Sequence, residues 1–269
     1  MLHIFRFLAF VLVVGFAALA VSGPSFAQRA QGYVQEVSGD VSAQVGTGQP
    51  AKVEKGQTLV NNTTITTAAQ SFAVLKFEDG TAVLLKENTS FQVQNYTYNP
   101  KAPENANAIF NLVRGGLRMI TGLVTSRNRD ALKVATPLAT IGIRGTEFMA
   151  ELVNPLFLQV ISGAVSATNA AGTVALTAGQ VGVVANATTL GSLIPVSQVP
   201  PGVFQMPNVP LTPAPGTIPS GSPVGGGAVA ATAGAPIGTT AAVIAISAAV
   251  IAGVATSSTS TATTVHHPE

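Results

Sequence analysis

The sequence contains no cysteine, and its charged residues are few and unevenly placed. The absence of cysteine from 269 residues excludes a disulfide framework, a thiolate metal site and a cysteine nucleophile. Charged residues make up 9% of the chain, where roughly 25% is usual. None of them lies between Leu152 and Pro268. Because the formal net charge is only +2, charge alone predicts no polyanionic partner, and nucleic acid is not expected.

Histidine is also missing from the whole central part of the chain. The three histidines are His3, His266 and His267, at the two extreme ends. A folded domain between them has no imidazole base, which excludes a Ser/His/Asp triad and a histidine zinc site there. The sequence therefore predicts a non-enzymatic protein with no catalytic residue, no metal site and no cofactor.

The N-terminus has the pattern of a secretory signal peptide. One positive charge lies within residues 1–6, an apolar run follows over residues 7–21, and Ser25 and Ala27 supply small residues at the cleavage positions. We expect cleavage after Ala27, so that residues 1–27 are the signal peptide and the mature protein lies outside the cytoplasm. An uncleaved anchor or a buried helix is the alternative.

Short strands separated by turns predict an all-β domain over residues 28–190. Apolar residues alternate with Thr and Asn, Glu78-Asp79-Gly80 marks a hairpin turn, and no amphipathic helix falls between the strands. The architecture is expected to be solenoid-like, roll-like or sandwich-like. The strand candidates are residues 33–37, 41–45, 63–67, 72–77, 82–86 and 90–96.

Two further features concern the middle and the ends of this domain. Residues 109–113 and 117–120 are predicted as two strands around Gly115-Gly116, although their apolar residues also fit a helical stripe. The run Gly39-Asp40-Val41-Ser42-Ala43 recurs as Gly163-Ala164-Val165-Ser166-Ala167, and Gly56-Gln57 recurs as Gly179-Gln180. The repeat indicates that one supersecondary unit occurs twice.

The C-terminal third has a different composition. Residues 191–236 are rich in proline and glycine and predict an extended linker. Residues 237–255 form an apolar run with small residues at four-residue spacing, which predicts a C-terminal helix. This helix either enters a membrane or serves as an apolar packing or self-association helix. Residues 256–269 are expected to be a disordered tail.

Three groups of polar residues are candidates for chemistry. Arg144 and Glu147 form either a ligand-binding pair or, as we favour, a structural pair in which Arg144 ties down a bent strand through Glu147 or a carbonyl group. Asp79 is either a metal ligand or, more commonly, a turn residue. A basic strip that contacts an anionic glycan or lipid headgroups is the third hypothesis, with a solvated turn as its alternative. The strip comprises Arg114, Arg118, Arg127, Arg129 and Lys133.

Several stretches together resemble the FecR-domain family. The resemblance extends from residue 32 to residue 184 and includes Phe77-Glu78-Asp79-Gly80-Thr81, Thr121-Gly122 and the run from Thr136 to Glu147. It implies an all-β, non-enzymatic periplasmic module. In the founding members this module relays an iron-siderophore signal from an outer-membrane transporter to a cytoplasmic sigma factor. The motif residues, structural or partner-binding, are Thr136, Pro137, Gly142, Arg144, Gly145, Thr146 and Glu147.

The expected function is that of a cell-envelope binding or sensing module whose partner is an envelope protein or glycan. The signal-relaying members carry a cytoplasmic anti-sigma segment and a membrane helix ahead of the domain, whereas only a signal peptide is predicted here. A periplasmic regulator in a sigma-factor and transporter system is therefore the first alternative. A structural envelope spacer is the second.

Overall fold

The computed structural model describes residues 29–212, and their regular secondary structure is almost entirely β-strand. The predicted signal peptide, the later part of the predicted linker, the apolar helix and the tail lie outside the described residues. Within this range three single-turn 3-10 helices occur, at Pro103–Asn105, Leu123–Thr125 and Val196–Gln198. The strands are β1 (Gly32–Ser38), β2 (Val41–Val45), β3 (Ala51–Lys52), β4 (Thr58–Leu59), β5 (Thr63–Thr67), β6 (Phe72–Phe77), β7 (Ala82–Leu85), β8 (Ser90–Thr97), β9 (Asn107–Ile120), β10 (Leu132–Ala135), β11 (Thr140–Leu152), β12 (Leu156–Asn169), β13 (Gly172–Thr177), β14 (Val181–Val184) and β15 (Ser192–Ile194).

The predicted all-β class is confirmed. Within the described residues all strands join one continuous sheet, in which β9 and β10 pair in parallel and the remaining pairs are antiparallel. Buried residues alternate with half-buried or exposed ones along β2, β5 and the first half of β9. This alternation is the pattern that predicts the strands from the sequence.

The sheet folds over on itself because three long strands change neighbours halfway along their length. The first halves of β9 and β11 pair with β10, whereas their second halves pair with each other. Strand β12 likewise pairs with β14 through its first half and with β13 through its second. We call the two parts the front layer and the back layer. The front layer contains β4, β1, β6, β7, β14, β15, the second halves of β9 and β11 and the first half of β12. The back layer contains β2, β3, β5, β8, β10, β13, the first halves of β9 and β11 and the second half of β12.

Each of the three long strands has a glycine at its bend. Gly115, Gly145 and Gly163 have φ angles of +82°, +60° and +81°, in the left-handed region that favours glycine. The Cβ of any other residue at position 115 would lie 2.4 Å from Thr89 Oγ1. Residues 109–113 and 117–120 are therefore one bent strand, β9, and the prediction of two separate strands is corrected in this respect.

The two layers enclose one hydrophobic core with an aromatic centre. Phe77 of the front layer lies against Phe110 and Tyr96 of the back layer, with ring centroids 5.0 and 5.1 Å apart. Phe91 extends the group through Phe110 at 5.3 Å. Aromatic pairs at these separations contribute about 0.5–1.5 kcal/mol each beyond the area they bury.

The internal repeat that the sequence predicts is present at the two ends of the domain. Val34 N–H donates to the carbonyl of Gln57, and Val160 N–H donates in the same way to that of Gln180. The side chains of Gln57 and Gln180 both accept from the backbone N–H three residues earlier, at 2.8 and 2.7 Å. The two copies lie at opposite edges of the sheet, where β1–β4 and β12–β14 are the corresponding pairs.

The beginning of the predicted linker contacts the sheet. Strand β15 pairs with β14. Farther on, the N–H of Phe204 donates to Glu151 at 2.8 Å and the carbonyl of Thr212 accepts from Lys76. We call residues 202–212 the C-terminal strap. Among residues 29–212 no helix is long and apolar enough to cross a membrane.

Candidate functional site

Asp79 is the centre of a buried hydrogen-bond cluster. Its side chain is fully buried. One carboxylate oxygen accepts from the Tyr96 hydroxyl at 2.7 Å and from Thr81 N–H at 3.0 Å. The other accepts from the Thr81 hydroxyl at 2.7 Å and from Val124 N–H at 2.9 Å. Four donors satisfy both oxygens of this buried carboxylate, so the turn interpretation of Asp79 is extended: Asp79 also holds other segments.

The cluster connects two stretches of the family motif. Gly122 N–H donates to the Thr81 hydroxyl at 3.0 Å, and Leu123 N–H donates to the Asp79 carbonyl at 2.9 Å. A Cβ at Gly122 would lie 2.3 Å from that carbonyl oxygen, so only glycine allows the two loops to approach this closely.

A third motif stretch joins them at the bend of β11. Thr146 N–H donates to the Thr121 hydroxyl at 2.8 Å, and Thr121 N–H donates to the Thr146 carbonyl at 3.0 Å. The buried hydroxyl of Thr146 donates to the Ala164 carbonyl at 2.9 Å, on the neighbouring bent strand. The hydrogen bonds of these motif residues are therefore made within the fold.

The Arg144–Glu147 pair expected from the sequence does not form. Gly145 lies between them, and the register of β11 against β12 shifts there, so Arg144 stays in the back layer and Glu147 enters the front layer. Glu147 instead accepts from Arg118 Nε at 2.8 Å, diagonally across β9. Arg144 is exposed and lies 3.6 Å from the exposed Asp130.

The beginning of the motif forms the hairpin between β10 and β11. The Thr136 hydroxyl accepts from the N–H groups of Leu138 and Ala139 and donates to the Ala139 carbonyl at 2.7 Å. Pro137 is exposed at the tip of this turn. Gly142 lies opposite Ser166, and a Cβ there would lie 2.8 Å from Ser166 Oγ.

The residues of the predicted basic strip are found in separate places. Arg118 is engaged by Glu147 in the front layer. Arg114 lines a surface depression of about 320 Å³ together with Asp40 and Asn88. Arg127, Arg129 and Lys133 are all exposed within seven consecutive residues, and Arg144 adjoins them through Asp130.

Burial shifts the pKa values of two ionisable groups close to Asp79. Burial raises the pKa of the Tyr96 hydroxyl far above its ordinary value of 10.0, and the charge of Asp79 raises it further. Burial lowers the pKa of Lys76 from 10.5, while the charge of Asp79 acts in the opposite direction. Tyr96 therefore stays protonated and keeps its hydrogen bond to Asp79.

A buried ion pair that sequence reasoning missed lies on the outer face of the front layer. Lys86 Nζ is 2.7 Å from Glu151 Oε1, and the two side chains are only 13% and 5% exposed. They meet over Gly116, where a Cβ would lie 2.7 Å from Lys86 Cδ and 3.3 Å from the carboxyl carbon of Glu151. The available signal is a charge within or directly beside an apolar run, Lys86 after Ala82–Leu85 and Glu151 within Phe148–Val153, since a buried charge needs a partner.

The described residues form an all-β domain in which the side chains of the motif residues hold bends and loops together through hydrogen bonds. Among residues 29–212 no group of three or more His, Cys, Asp or Glu side chains could hold a metal ion. Residues 63–166 match the family model described as FecR protein, and this range contains the three motif stretches that meet at Asp79 and Thr146. The chain therefore carries a FecR domain.

Comparison with solved structures gives a more distant likeness. Two crystal structures of a "putative anti-sigma factor" from Parabacteroides distasonis ATCC 8503, at 1.65 and 2.50 Å resolution, are similar at 18% and 16% identity, each with a TM-score of 0.37. Each alignment covers 49% of this chain and 57% of the other, so the chain matches little more than half the length of those proteins. No curated protein matches the chain.

Proposed function

We propose that this protein is a non-enzymatic regulator in a sigma-factor signalling system and that its FecR domain is the part that contacts a protein partner. The observation that carries the proposal is the FecR match over residues 63–166. The hydrogen bonds of the motif residues are made within the fold, so their geometry supports a rigid scaffold for contacts with a partner. The N-terminal pattern supports placing the domain outside the cytoplasm.

Crosslinking in intact cells tests this role. The full-length chain with a C-terminal tag is crosslinked in living cells, purified under denaturing conditions and analysed by mass spectrometry. The expected partner is a membrane protein of a sigma-factor pathway or an outer-membrane transporter, and deletion of the gene should change transcription from promoters that depend on the sigma factor. Crosslinks to glycan alone, together with unchanged transcription, would contradict the proposal.

Binding to an anionic envelope polymer is a second candidate, favoured by the exposed cations that lie together. Arg127, Arg129, Lys133 and Arg144 face solvent, with Asp130 as the neighbouring anion. Such a cluster attracts anionic glycan or lipid headgroups in a salt-dependent manner. Binding of the purified protein to isolated envelopes should weaken in Arg127→Ser/Arg129→Ser and stay unchanged in Lys52→Ser, an exposed lysine on β3. Equal salt-dependent binding by both variants would exclude this candidate.

A further inference from the structure

The outer face of the front layer has a buried apolar floor that is separate from the main core. Val74 and Leu84 lie opposite each other on β6 and β7, and both are completely buried. Their strand neighbours Ala73, Leu75, Val83 and Leu85 point into the core, whereas these two side chains do not belong to it. Because alternate residues of a strand point to opposite faces, Val74 and Leu84 point outward and must be covered from outside the sheet.

The C-terminal strap runs between the two ends of this floor. It is fixed at one end by Lys86 and Glu151 and at the other by Lys76, whose Nζ donates to the Thr212 carbonyl. Lys76 and Lys86 are on the outer face at opposite ends of the β6–β7 pair, with Val74 and Leu84 between them. Gln205, Met206 and Pro207 line a depression together with Phe72, Lys86 and other residues at that end of β6 and β7. We call the apolar floor, together with Lys76 at one end and Lys86 and Glu151 at the other, the strap groove.

The strap groove binds the main chain of its occupant through charged side chains. Phe204 N–H donates to Glu151 Oε2 at 2.8 Å, and the Gly202 carbonyl lies 3.4 Å from Lys86 Nζ. The buried Lys86–Glu151 pair thus presents a donor and an acceptor two residues apart along the occupant. Gly202 and Phe204 lie in a turn in which Gln205 N–H donates to the Gly202 carbonyl at 3.3 Å, so these backbone contacts accept a segment that turns here. The apolar floor then selects the side chains of the extended part that follows.

The strap itself shows which chemistry fits. Half-buried Val209 and Leu211 alternate with exposed Asn208, Pro210 and Thr212, as expected for an extended segment with one face toward the floor. The strap carries no charge, and Pro207 and Pro210 prevent it from continuing the hydrogen-bond ladder of the sheet.

One residue of the strap is held in an unfavourable conformation. Phe204 has a φ of +66°, in the left-handed region that residues other than glycine rarely adopt. Such strain persists only where the surrounding contacts impose it. The strap is therefore not the best occupant for this position, and a segment without this strain would compete well.

We propose that the strap groove is a peptide-docking site for an extended, uncharged, proline-containing segment of another protein, and that the strap occupies it in cis until that segment displaces it. The biological meaning of this exchange rests on the regulatory role proposed above, because the segment that displaces the strap would belong to the partner in that role. The docking itself does not require that role. As a tethered ligand the strap has a high effective concentration, so a free peptide must be assayed against a weakened strap.

The test uses the full-length chain and a fluorescein-labelled peptide with the sequence of residues 200–212. In Val209→Ser/Leu211→Ser the half-buried strap contacts are weakened and the groove is unchanged. We expect this variant to bind the labelled peptide at least tenfold more tightly than the wild-type chain, as measured by fluorescence anisotropy. A peptide carrying the same two serine substitutions is the matched control and should not bind.

A third protein locates the binding site. Adding Gly116→Ala to the strap variant places a Cβ where Lys86 and Glu151 meet and should abolish binding of the labelled peptide. Circular dichroism and thermal unfolding establish that each variant is folded. A folded Val209→Ser/Leu211→Ser variant that binds no better than wild type would overturn the proposal, as would binding that survives Gly116→Ala.

Two more results separate this proposal from its alternatives. The first result is that the wild-type chain forms concentration-dependent dimers that are lost in Gly116→Ala. That result would overturn the proposal that the occupant comes from another protein, because the occupant would then be the strap of a second copy. Peptide binding with the expected dependence on Gly116, but without any change in sigma-factor-dependent transcription in the strap variant, would support the docking site and count against the regulatory role.

Discussion

Asp79 joins three separate segments of the chain. Its carboxylate accepts hydrogen bonds from the hairpin turn, from Tyr96 and from the loop at Val124. Replacing Asp79 with Asn keeps the volume but removes the charge and turns one acceptor into a donor that faces other donors. We expect a loss of about 2–4 kcal/mol in the free energy of unfolding, measured by urea denaturation.

Asp130→Asn is the matched control for that substitution. Asp130 is exposed and its contact with Arg144 is 3.6 Å long. Exposed pairs of this kind contribute little, so the midpoint of the urea transition should hardly move. Equal small effects of Asp79→Asn and Asp130→Asn would show that the Asp79 cluster does not hold the loops.

The buried hydroxyl of Tyr96 makes the free energy of unfolding depend on pH in the alkaline range. Burial raises the pKa of its hydroxyl well above the ordinary value of 10.0, so in the alkaline range the unfolded chain releases this proton and the folded protein keeps it. The free energy of unfolding should therefore be fully maintained below pH 10 and fall as the pH rises above about 10. Chemical denaturation between pH 8 and pH 11 should show this fall in the wild type and a weaker one in Tyr96→Phe. Parallel curves for the two proteins would contradict it.

Arg144 carries less stability than its place in the motif suggests. The sequence favoured a strand tied down through Glu147, but the arginine is exposed and Glu147 belongs to Arg118. Arg144→Ala should therefore change the free energy of unfolding by less than about 0.5 kcal/mol. Arg118→Ala leaves a half-buried carboxylate without its partner and should cost more, which differential scanning calorimetry of the two variants can measure.

At the scale of elements, the bends of the long strands depend on glycine to different degrees. Gly145 has a φ of +60° with open space around a would-be Cβ, whereas the same atom at Gly163 would lie 2.3 Å from the Gly145 carbonyl oxygen. Gly145→Ala should cost about 1–2 kcal/mol for the left-handed backbone. Gly163→Ala adds a backbone clash and should cost at least about 3 kcal/mol.

Urea denaturation of the two alanine variants measures this difference directly. Both substitutions add the same methyl group, and both glycines lie in the left-handed region, so the backbone contribution is nearly common to the pair. Equal losses would mean that β12 shifts to accommodate the methyl group and that the close approach of β11 and β12 is not required.

The local structure of the strands followed from the sequence, but their long-range pairing did not. Alternation identified strands such as β2 and β5 with the bounds that the structure has, because the pattern is local. The glycines at the bends were visible as interruptions, and the Gly39 and Gly163 repeat correctly indicated a unit used twice. The partners of Glu147 and Asp79 were not predictable, because Arg118 and Val124 are 29 and 45 residues away in the chain and meet them only after the sheet folds over.

At the scale of the whole molecule, the bent strands make the front and back layers one cooperative unit. Strands β9, β11 and β12 each run through both layers, and one core lies between them. If one layer unfolded alone, each of these three strands would lose the pairing of half its length and the shared core would be exposed. We expect a single unfolding transition, with the same midpoint by far-ultraviolet circular dichroism and by tyrosine fluorescence. Two separate midpoints would show that the layers unfold independently.

The first and last contacts of the described chain lie at one end of β6. Arg29 pairs with Glu78 at 2.7 Å, and the Thr212 carbonyl accepts from Lys76, two residues away from Glu78. Residues 29 and 212 therefore both contact side chains at this end of β6, although the whole domain separates them in sequence. A host protein could carry residues 29–212 as an insertion in a single surface loop, and a short linker between the two ends would give a circular permutant with new ends at the Thr136–Ala139 turn.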